Sequence, residues 1–225
     1  MQLFSKKKAL ALVATGSVFM GLSGCSAPSA QPDPTAVVRT YLDAIAEGDA
    51  ATATSMDPAS VASDADADAE ALRTDAVLQG AVERITDVEV DADARTDGSN
   101  DDARRVTFTY ELAGQRVSSS LAVRWDQEKG DWSLTESVAG RLFVQASASA
   151  IDAEVIGYSV PGATVTVSDP PRLFQWAYPA VYEVTPDVDA NLLSDPDAGT
   201  QTATVSPTED TKVDVAVTSL PTPAS

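Results

Sequence analysis

The chain has 225 residues, with 15 lysine and arginine residues against 34 aspartate and glutamate residues, one cysteine and no histidine. The acid excess argues against a nucleic-acid partner, because phosphate contacts need clustered lysine and arginine. The absence of histidine excludes Ser-His-Asp and Cys-His nucleophile systems, most zinc sites and acid–base catalysis by imidazole. Carboxylates are the reactive groups that remain.

The first 24 residues have the layout of an export signal. Three lysines at positions 6–8 form a basic start, and residues 9–22 are uncharged and mainly apolar. A helix needs about 20 apolar residues to span a bilayer, and this run is shorter. The sequence therefore predicts that residues 1–24 are a signal peptide.

The segment Leu-Ser-Gly-Cys at 22–25 resembles the lipobox of bacterial lipoproteins. In that family the cysteine is linked by a thioether to diacylglycerol and becomes the new N-terminus. Cys25 suits this chemistry, since a thiolate is the soft nucleophile that accepts the lipid. The alternatives are a small buried thiol or a secretory signal cut nearby. The resemblance implies a lipid anchor in the cell membrane, with the protein on its extracytoplasmic face.

The mature chain would carry 12 lysine and arginine residues against 34 acids, a net charge of −22 that opposes lying flat on an anionic bilayer. Residues 25–32 are predicted to be a tether, whose eight residues reach at most about 28 Å. With its cysteine lipidated, the chain has no internal disulfide and needs an ordinary hydrophobic core.

Three helices are predicted in the first folded part. Asp33 as N-cap and Pro34 begin the first helix, and Gly48 ends it. The second helix covers residues 50–56 and the third residues 69–78. The helical spacing of the first is carried by Val37, Val38, Tyr41, Leu42 and Ile45.

After Gly80 the hydrophobic period changes to two, which predicts antiparallel strands. They cover residues 82–90, 106–112, 117–125 and 132–134. Helices followed by such a meander are typical of an α+β fold with helices on one face of a curved sheet.

The segment VVRTYLDAIAEGD at 37–49 resembles the opening helix of NTF2-like domains, in the versions found in lipoproteins and penicillin-binding proteins of Gram-positive bacteria. The strand 106–112 and the Trp-Ser-Leu ending at 132–134 fit the same pattern. The resemblance covers residues 33–145 and implies an NTF2-like cone. Enzymes of that fold, such as ketosteroid isomerases, place an aspartate base opposite a tyrosine–aspartate oxyanion hole.

Residues 151–220 are predicted to form a second, small all-β domain of the sandwich type. Short apolar runs are separated there by glycine and proline. The segment 172–182 resembles the strand and turn of the small β modules that follow NTF2-like domains, with Ala180 at the usual glycine. The expected fold class is thus α+β, an NTF2-like cone of three helices on a curved antiparallel sheet followed by a β-sandwich-like domain.

Five aromatic residues are candidate contacts for a ligand or partner. Tyr41 and Tyr110 are predicted to face the cone interior. Because the inward strand positions carry no acid, a simpler interpretation is that both are core residues with the hydroxyl at a rim. Phe174, Trp176 and Tyr178 line one face of a predicted strand. They pack in the core or, if they face out, offer a protein or glycan contact.

The acids at 64, 66, 68 and 70 alternate with alanine and suggest calcium ligands. However, the glycine at position six and the acid at position twelve of an EF-hand loop are missing. A solvated acidic lead-in to the third helix explains the run better. No catalytic residue, metal site or cofactor is predicted.

These observations predict a lipid-anchored extracytoplasmic lipoprotein that acts as a non-catalytic binding module at the cell envelope, with an envelope protein or cell-wall component as partner. A carboxylate-based enzyme, or a carrier of an apolar small ligand in the cone, is the alternative. Fold alone does not separate these functions.

Replacing Cys25 with alanine is expected to leave an unprocessed precursor or to release the protein from the membrane fraction, because the lipid acceptor is lost. Fractionation and mass measurement of the mature chain check this. Processing and membrane attachment as in the unmodified protein would contradict it.

Overall fold

The computed structural model describes residues 31–58, 70–91, 94–96, 102–147, 157–166, 174–187, 199–207 and 209–216. Three helices lie in these ranges: α1 (Pro34–Glu47), α2 (Ala50–Met56) and α3 (Asp75–Gly80). None of the helices in the described ranges is long and apolar enough to cross a membrane. Cys25 lies outside these ranges.

Strands make up most of the regular structure in the same ranges. They are β1 (Glu83–Arg84), β2 (Thr86–Val90), β3 (Arg95–Thr96), β4 (Ala103–Leu112), β5 (Gln115–Asp126), β6 (Asp131–Leu134), β7 (Gly140–Ser147), β8 (Gly157–Val160), β9 (Ala163–Thr166), β10 (Gln175–Ala177), β11 (Ala180–Asp187), β12 (Gln201–Val205) and β13 (Thr211–Ala216).

The strands form three sheets. The first has the order β2-β4-β5-β6, with β3 also paired to β4. The second has the order β1-β11-β8-β9, with β12 also paired to β11. The third has the order β10-β7-β13, in which β13 runs parallel to β7.

The predictions for α1 and α2 are confirmed. Asp33 accepts a hydrogen bond from the Thr35 N–H at 2.9 Å, and Gly48 ends α1 in the left-handed conformation with φ 85°. Asp49 caps α2 by accepting from the Thr52 N–H. The buried face of α1 carries Val38, Tyr41, Leu42 and Ile45, as the helical spacing predicts.

The first sheet also follows its predicted pattern. The four alternate positions of β4 that were predicted to face inward are buried: Val106, Phe108, Tyr110 and Leu112. Ala113 and Gly114 both have positive φ in the tight turn to β5, which suits the twist of a hairpin. The buried face of this sheet packs against α1.

The third helix and the strand after it differ from the predictions. The helix begins only at Asp75, because Thr74 caps it by accepting from the Val77 N–H. The single strand predicted over 82–90 is divided at Ile85, which is buried. β1 before this residue pairs with β11, whereas β2 after it pairs with β4. The chain thus passes from one sheet to another within two residues.

The predicted fold class is wrong. The structure is mostly β, in several antiparallel sheets, and is not an NTF2-like cone with three helices. The physical reason is strand pairing between distant segments. β7 pairs with β10 and β13, and β1 completes a sheet whose other strands come from residues 157–205. Alternation along a strand predicts its buried face but not its partner.

The boundary predicted between domains 33–145 and 151–220 stays a prediction about folding. Two strand pairs, β1 with β11 and β7 with β10, join segments on either side of it. The described residues from Gln31 onward belong to one compact unit.

The turn between β8 and β9 packs tightly against α3. A Cβ atom on Gly162 would lie 2.5 Å from the backbone carbonyl oxygen of Ala76, and one on Gly80 would lie 2.8 Å from the Pro161 Cβ. Only glycine allows these approaches. They are a further contact between segments on either side of the predicted boundary.

Gly162→Ala is expected to lower the free energy of unfolding by about 2–4 kcal/mol, because the cost of a positive φ for alanine and the cost of the clash with Ala76 add together. The matched control is Gly130→Ala, which also has positive φ but meets no atom within 4 Å. It is expected to cost only about 1–2 kcal/mol. Equal costs in urea unfolding would contradict the tight contact.

Candidate functional site

Four buried polar side chains meet between the helices and the C-terminal strands, and we call Tyr41, Asp57, Arg73 and Tyr178 the buried cluster. Tyr41 comes from α1, Asp57 directly follows α2, Arg73 precedes α3 and Tyr178 lies between β10 and β11. The side chains of Arg73 and Asp57 are 1% and 3% exposed, and both tyrosines are fully buried.

The Asp57 carboxylate is the acceptor at the centre. Its Oδ1 accepts from the Tyr41 hydroxyl at 2.6 Å, and its Oδ2 accepts from the Tyr178 hydroxyl at 2.7 Å and from Arg73 Nη2. Arg73 Nη1 donates to both oxygens of Glu70 at 2.9 and 2.8 Å. One buried cation thus lies between two carboxylates.

A second layer holds the tyrosines in place. The Tyr41 hydroxyl, which donates to Asp57, accepts from Ser137 Oγ at 2.9 Å and from the Val138 N–H at 3.3 Å. The Tyr178 hydroxyl accepts from Thr54 Oγ1 at 2.9 Å. The Arg73 guanidinium also lies 5.2 Å from the centre of the Tyr178 ring, a cation–π contact.

Burial and charge fix the protonation of these groups. Burial raises the pKa of Tyr41 well above its ordinary value, and the nearby Asp57 carboxylate raises it further. Burial and Asp57 likewise raise the pKa of Tyr178. Burial opposes the charge of Arg73, but Tyr178 and the two carboxylates outweigh it, so its pKa is raised. All three side chains keep their protons near neutral pH.

A groove with a volume of about 550 Å³ lies beside the buried cluster. One wall is β6 with the residues around it, and the other is the end of α2 with the start of α1. Asp57 belongs to both the groove and the cluster. The lining residues are Val37, Ser55, Met56, Asp57, Pro58, Lys129, Asp131, Trp132, Ser133, Leu134 and Thr135.

Trp132 connects the groove to the segment before α1. Its Nε1 donates to the backbone carbonyl of Pro32 at 2.8 Å. Its ring meets Trp125 edge-to-face at 5.6 Å, and the Arg104 guanidinium lies 5.7 Å from its centre. The last residue of the predicted tether is therefore held at the groove.

Tyr41 and Tyr178 are the predicted site residues that the structure brings together, with ring centres 6.4 Å apart. Tyr110 lies elsewhere, stacked on Phe108 at 6.2 Å. Its hydroxyl has no hydrogen-bond partner among the described residues, and burial raises the pKa of Tyr110 to about 12. Tyr110 is a core residue and contributes nothing to the groove.

Phe174 and Trp176 are not part of the buried cluster to which Tyr178 belongs. They are half-buried and meet edge-to-face at 5.4 Å, and Phe174 also contacts Phe143 at 5.7 Å. Tyr178 follows β10 and is fully buried. The two outer rings form a separate aromatic patch beside Arg141, which pairs with Asp210.

Sequence reasoning missed Asp57 and Arg73 as interacting residues. The sequence predicts only that the second helix ends at residue 56, just before Asp57, and that Glu70 is the last acid of a solvated run. The available signal was Arg73, the sole basic residue between Arg39 and Arg84. The other acids of that run, at 64, 66 and 68, lie outside the described residues, and within them no group of acids is arranged to hold a metal.

Comparison of the chain with protein-family models, with curated proteins and with solved structures finds no match. The functional assignment therefore rests on the groove, the buried cluster and the sequence of the N-terminal segment.

Arg73→Met is expected to lower the free energy of unfolding by about 3–5 kcal/mol, because it leaves the Asp57 charge buried without its cation. Arg116→Met is the matched control. It breaks the ion pair between Arg116 and Glu89, whose side chains are 49% and 69% exposed, respectively. This change is expected to lower the free energy of unfolding by at most about 1 kcal/mol. Similar losses in the two variants would show that the cluster contributes little.

Alkaline pH is expected to destabilise the protein cooperatively. All five tyrosines are buried and have raised pKa values: Tyr41, Tyr110, Tyr158, Tyr178 and Tyr182. Above about pH 10 the unfolded chain loses these protons while the folded chain retains them, so stability falls with rising pH. With all five contributing, the slope approaches about 7 kcal/mol per pH unit.

Ultraviolet titration of tyrosinate checks this expectation. The five groups should ionise together with the loss of native circular dichroism, above the ordinary tyrosine value of about 10. Ionisation near that value in the folded protein would contradict the burial of the hydroxyls.

Proposed function

We propose that this protein is a lipid-anchored binding module on the extracytoplasmic face of the cell membrane, and that its groove beside Asp57 captures an envelope protein or a cell-wall component. The observation that carries the proposal is the position of the groove. Trp132, in its wall, holds the Pro32 carbonyl at 2.8 Å. Pro32 follows Cys25 by seven residues, which span at most about 25 Å.

The chemistry of the groove supports binding. Met56, Pro58 and Val37 supply apolar surface, and Lys129 and Asp131 supply charge at the same groove. A volume of about 550 Å³ lies in the range of pockets that take ligands, roughly 300–1,000 Å³. Five of the eleven lining residues are apolar and six are polar or charged, so the groove offers both apolar contact and hydrogen-bonding groups.

A non-catalytic role is supported by the buried cluster. Asp57, one of the two acids that line the groove, accepts from Tyr41, Arg73 and Tyr178, and its side chain is only 3% exposed. A general base must lie within hydrogen-bond reach of the proton that it removes. The strong negative charge of the mature chain would keep the protein soluble and away from anionic lipid.

Met56→Glu tests the proposal in the full-length, lipidated protein. The new carboxylate lies in the groove wall and should weaken binding at least about tenfold, or by about 1.4 kcal/mol. Cross-linking in intact cells should then capture at most about one-tenth of the partner that the unmodified protein captures. Val82→Glu is the control, since Val82 is 61% exposed and outside the groove. Both variants should stay in the membrane fraction. Unchanged capture by Met56→Glu would refute the groove as the binding site.

A further inference from the structure

We infer that the Tyr41 hydroxyl is a positioning group that sets the distance between the two walls of the groove without touching what binds there. This inference rests on the proposed function and adds a residue on which binding depends from outside the groove. Tyr41 is 0% exposed and is not among the residues that line the groove. Its effect on binding therefore passes through the residues that it contacts.

The hydroxyl contacts the first wall, the end of α2, through Asp57. Asp57 Oδ1 accepts its hydrogen at 2.6 Å, and Asp57 lines the groove next to Met56 and Pro58. The other carboxylate oxygen accepts from the Tyr178 hydroxyl at 2.7 Å. The position of this wall therefore depends on where Tyr41 holds the carboxylate.

The same hydroxyl contacts the connection between β6 and β7, which continues the second wall. It accepts from Ser137 Oγ at 2.9 Å and from the Val138 N–H at 3.3 Å. Thr135, the last lining residue of this wall, lies two residues before Ser137, and its N–H donates to the Ala122 carbonyl of β5 at 3.0 Å. The hydroxyl is thus fixed relative to the sheet, and Asp57 is fixed relative to the hydroxyl.

The Tyr41 hydroxyl has no hydrogen-bonding capacity left for a ligand. A tyrosine hydroxyl has one hydrogen and two lone pairs. Asp57 takes the hydrogen, and Ser137 and the Val138 N–H take the lone pairs. Burial raises the pKa of Tyr41, so this hydrogen is present at neutral pH. Three hydrogen bonds at one buried atom hold the walls at one separation, which reduces the conformational entropy lost on binding.

Thiol cross-linking across the groove tests the bridge in the purified, full-length, lipidated protein. Ser55→Cys and Thr135→Cys place one exposed thiol on each wall, and the lipid blocks Cys25, the one native cysteine. Rigid bis-maleimides of increasing span should react with a sharp maximum at one span. Adding Tyr41→Phe should broaden this profile and lower the yield at that span at least about threefold, because the walls lose their fixed separation.

Two further variants show that the bridge causes this change. Ser137→Ala removes one of the three hydrogen bonds and should broaden the profile in the same direction as Tyr41→Phe. Tyr110→Phe is the matched control, since it removes a buried hydroxyl that has no hydrogen-bond partner among the described residues. It should leave the profile unchanged.

Cross-linking of the partner in intact cells shows whether the separation governs binding. Tyr41→Phe should capture at most about a third of the partner that the unmodified protein captures, since pre-organisation is lost. Gly162→Ala is the control for lowered stability, because it acts at the turn against α3 and Gly162 does not line the groove. It should capture as much partner as the unmodified protein.

A span profile that is flat with Tyr41 in place, or that Tyr41→Phe leaves unchanged, would overturn the inference. Full capture by Tyr41→Phe, or an equal loss of capture by Gly162→Ala, would also overturn it. The proposed function is judged by Met56→Glu. If Met56→Glu loses the partner while these results are negative, only this inference fails. If Met56→Glu retains the partner, the proposed function fails and the inference fails with it.

Discussion

The pairing of Arg73 with Asp57 is the interaction on which the rest of the structure depends. Removing two charges from water costs several kcal/mol per ion, so a buried pair persists only where additional hydrogen bonds satisfy its atoms. Glu70 and the hydroxyls of Tyr41 and Tyr178 supply those bonds. The cluster therefore requires α1, the end of α2, the segment before α3 and the chain before β11 to be in place together.

This requirement explains the position of the groove. Asp57 is held from the inside by the cluster and contributes to the groove on its other side, where Met56 and Pro58 adjoin it. The end of α2 is thus fixed relative to β6 by residues from distant parts of the chain. A rigid wall beside a strand edge lowers the conformational entropy lost when a partner binds.

Local features of the fold were predictable because local physics determines them. The caps at Asp33 and Gly48 bound α1, and alternation assigned the buried face of β4. The partner of each strand was not predictable, because β1 and β7 pair with strands about one hundred and about thirty residues away. For the site, the sequence analysis identified Tyr41 and Tyr178 as candidate contact residues. It could not identify the pair of Asp57 and Arg73, because these residues are sixteen positions apart and no hydrophobic periodicity relates them.

Native-state hydrogen exchange at increasing urea concentration tests the central claim most directly. If the cluster joins the helices to the C-terminal strands, buried amides of α1 and of β11 should exchange with the same free energy and the same urea dependence. Exchange in β11 at a free energy about 2 kcal/mol or more below that of α1 would show that the C-terminal strands open on their own, as separate domains would, and would contradict the account.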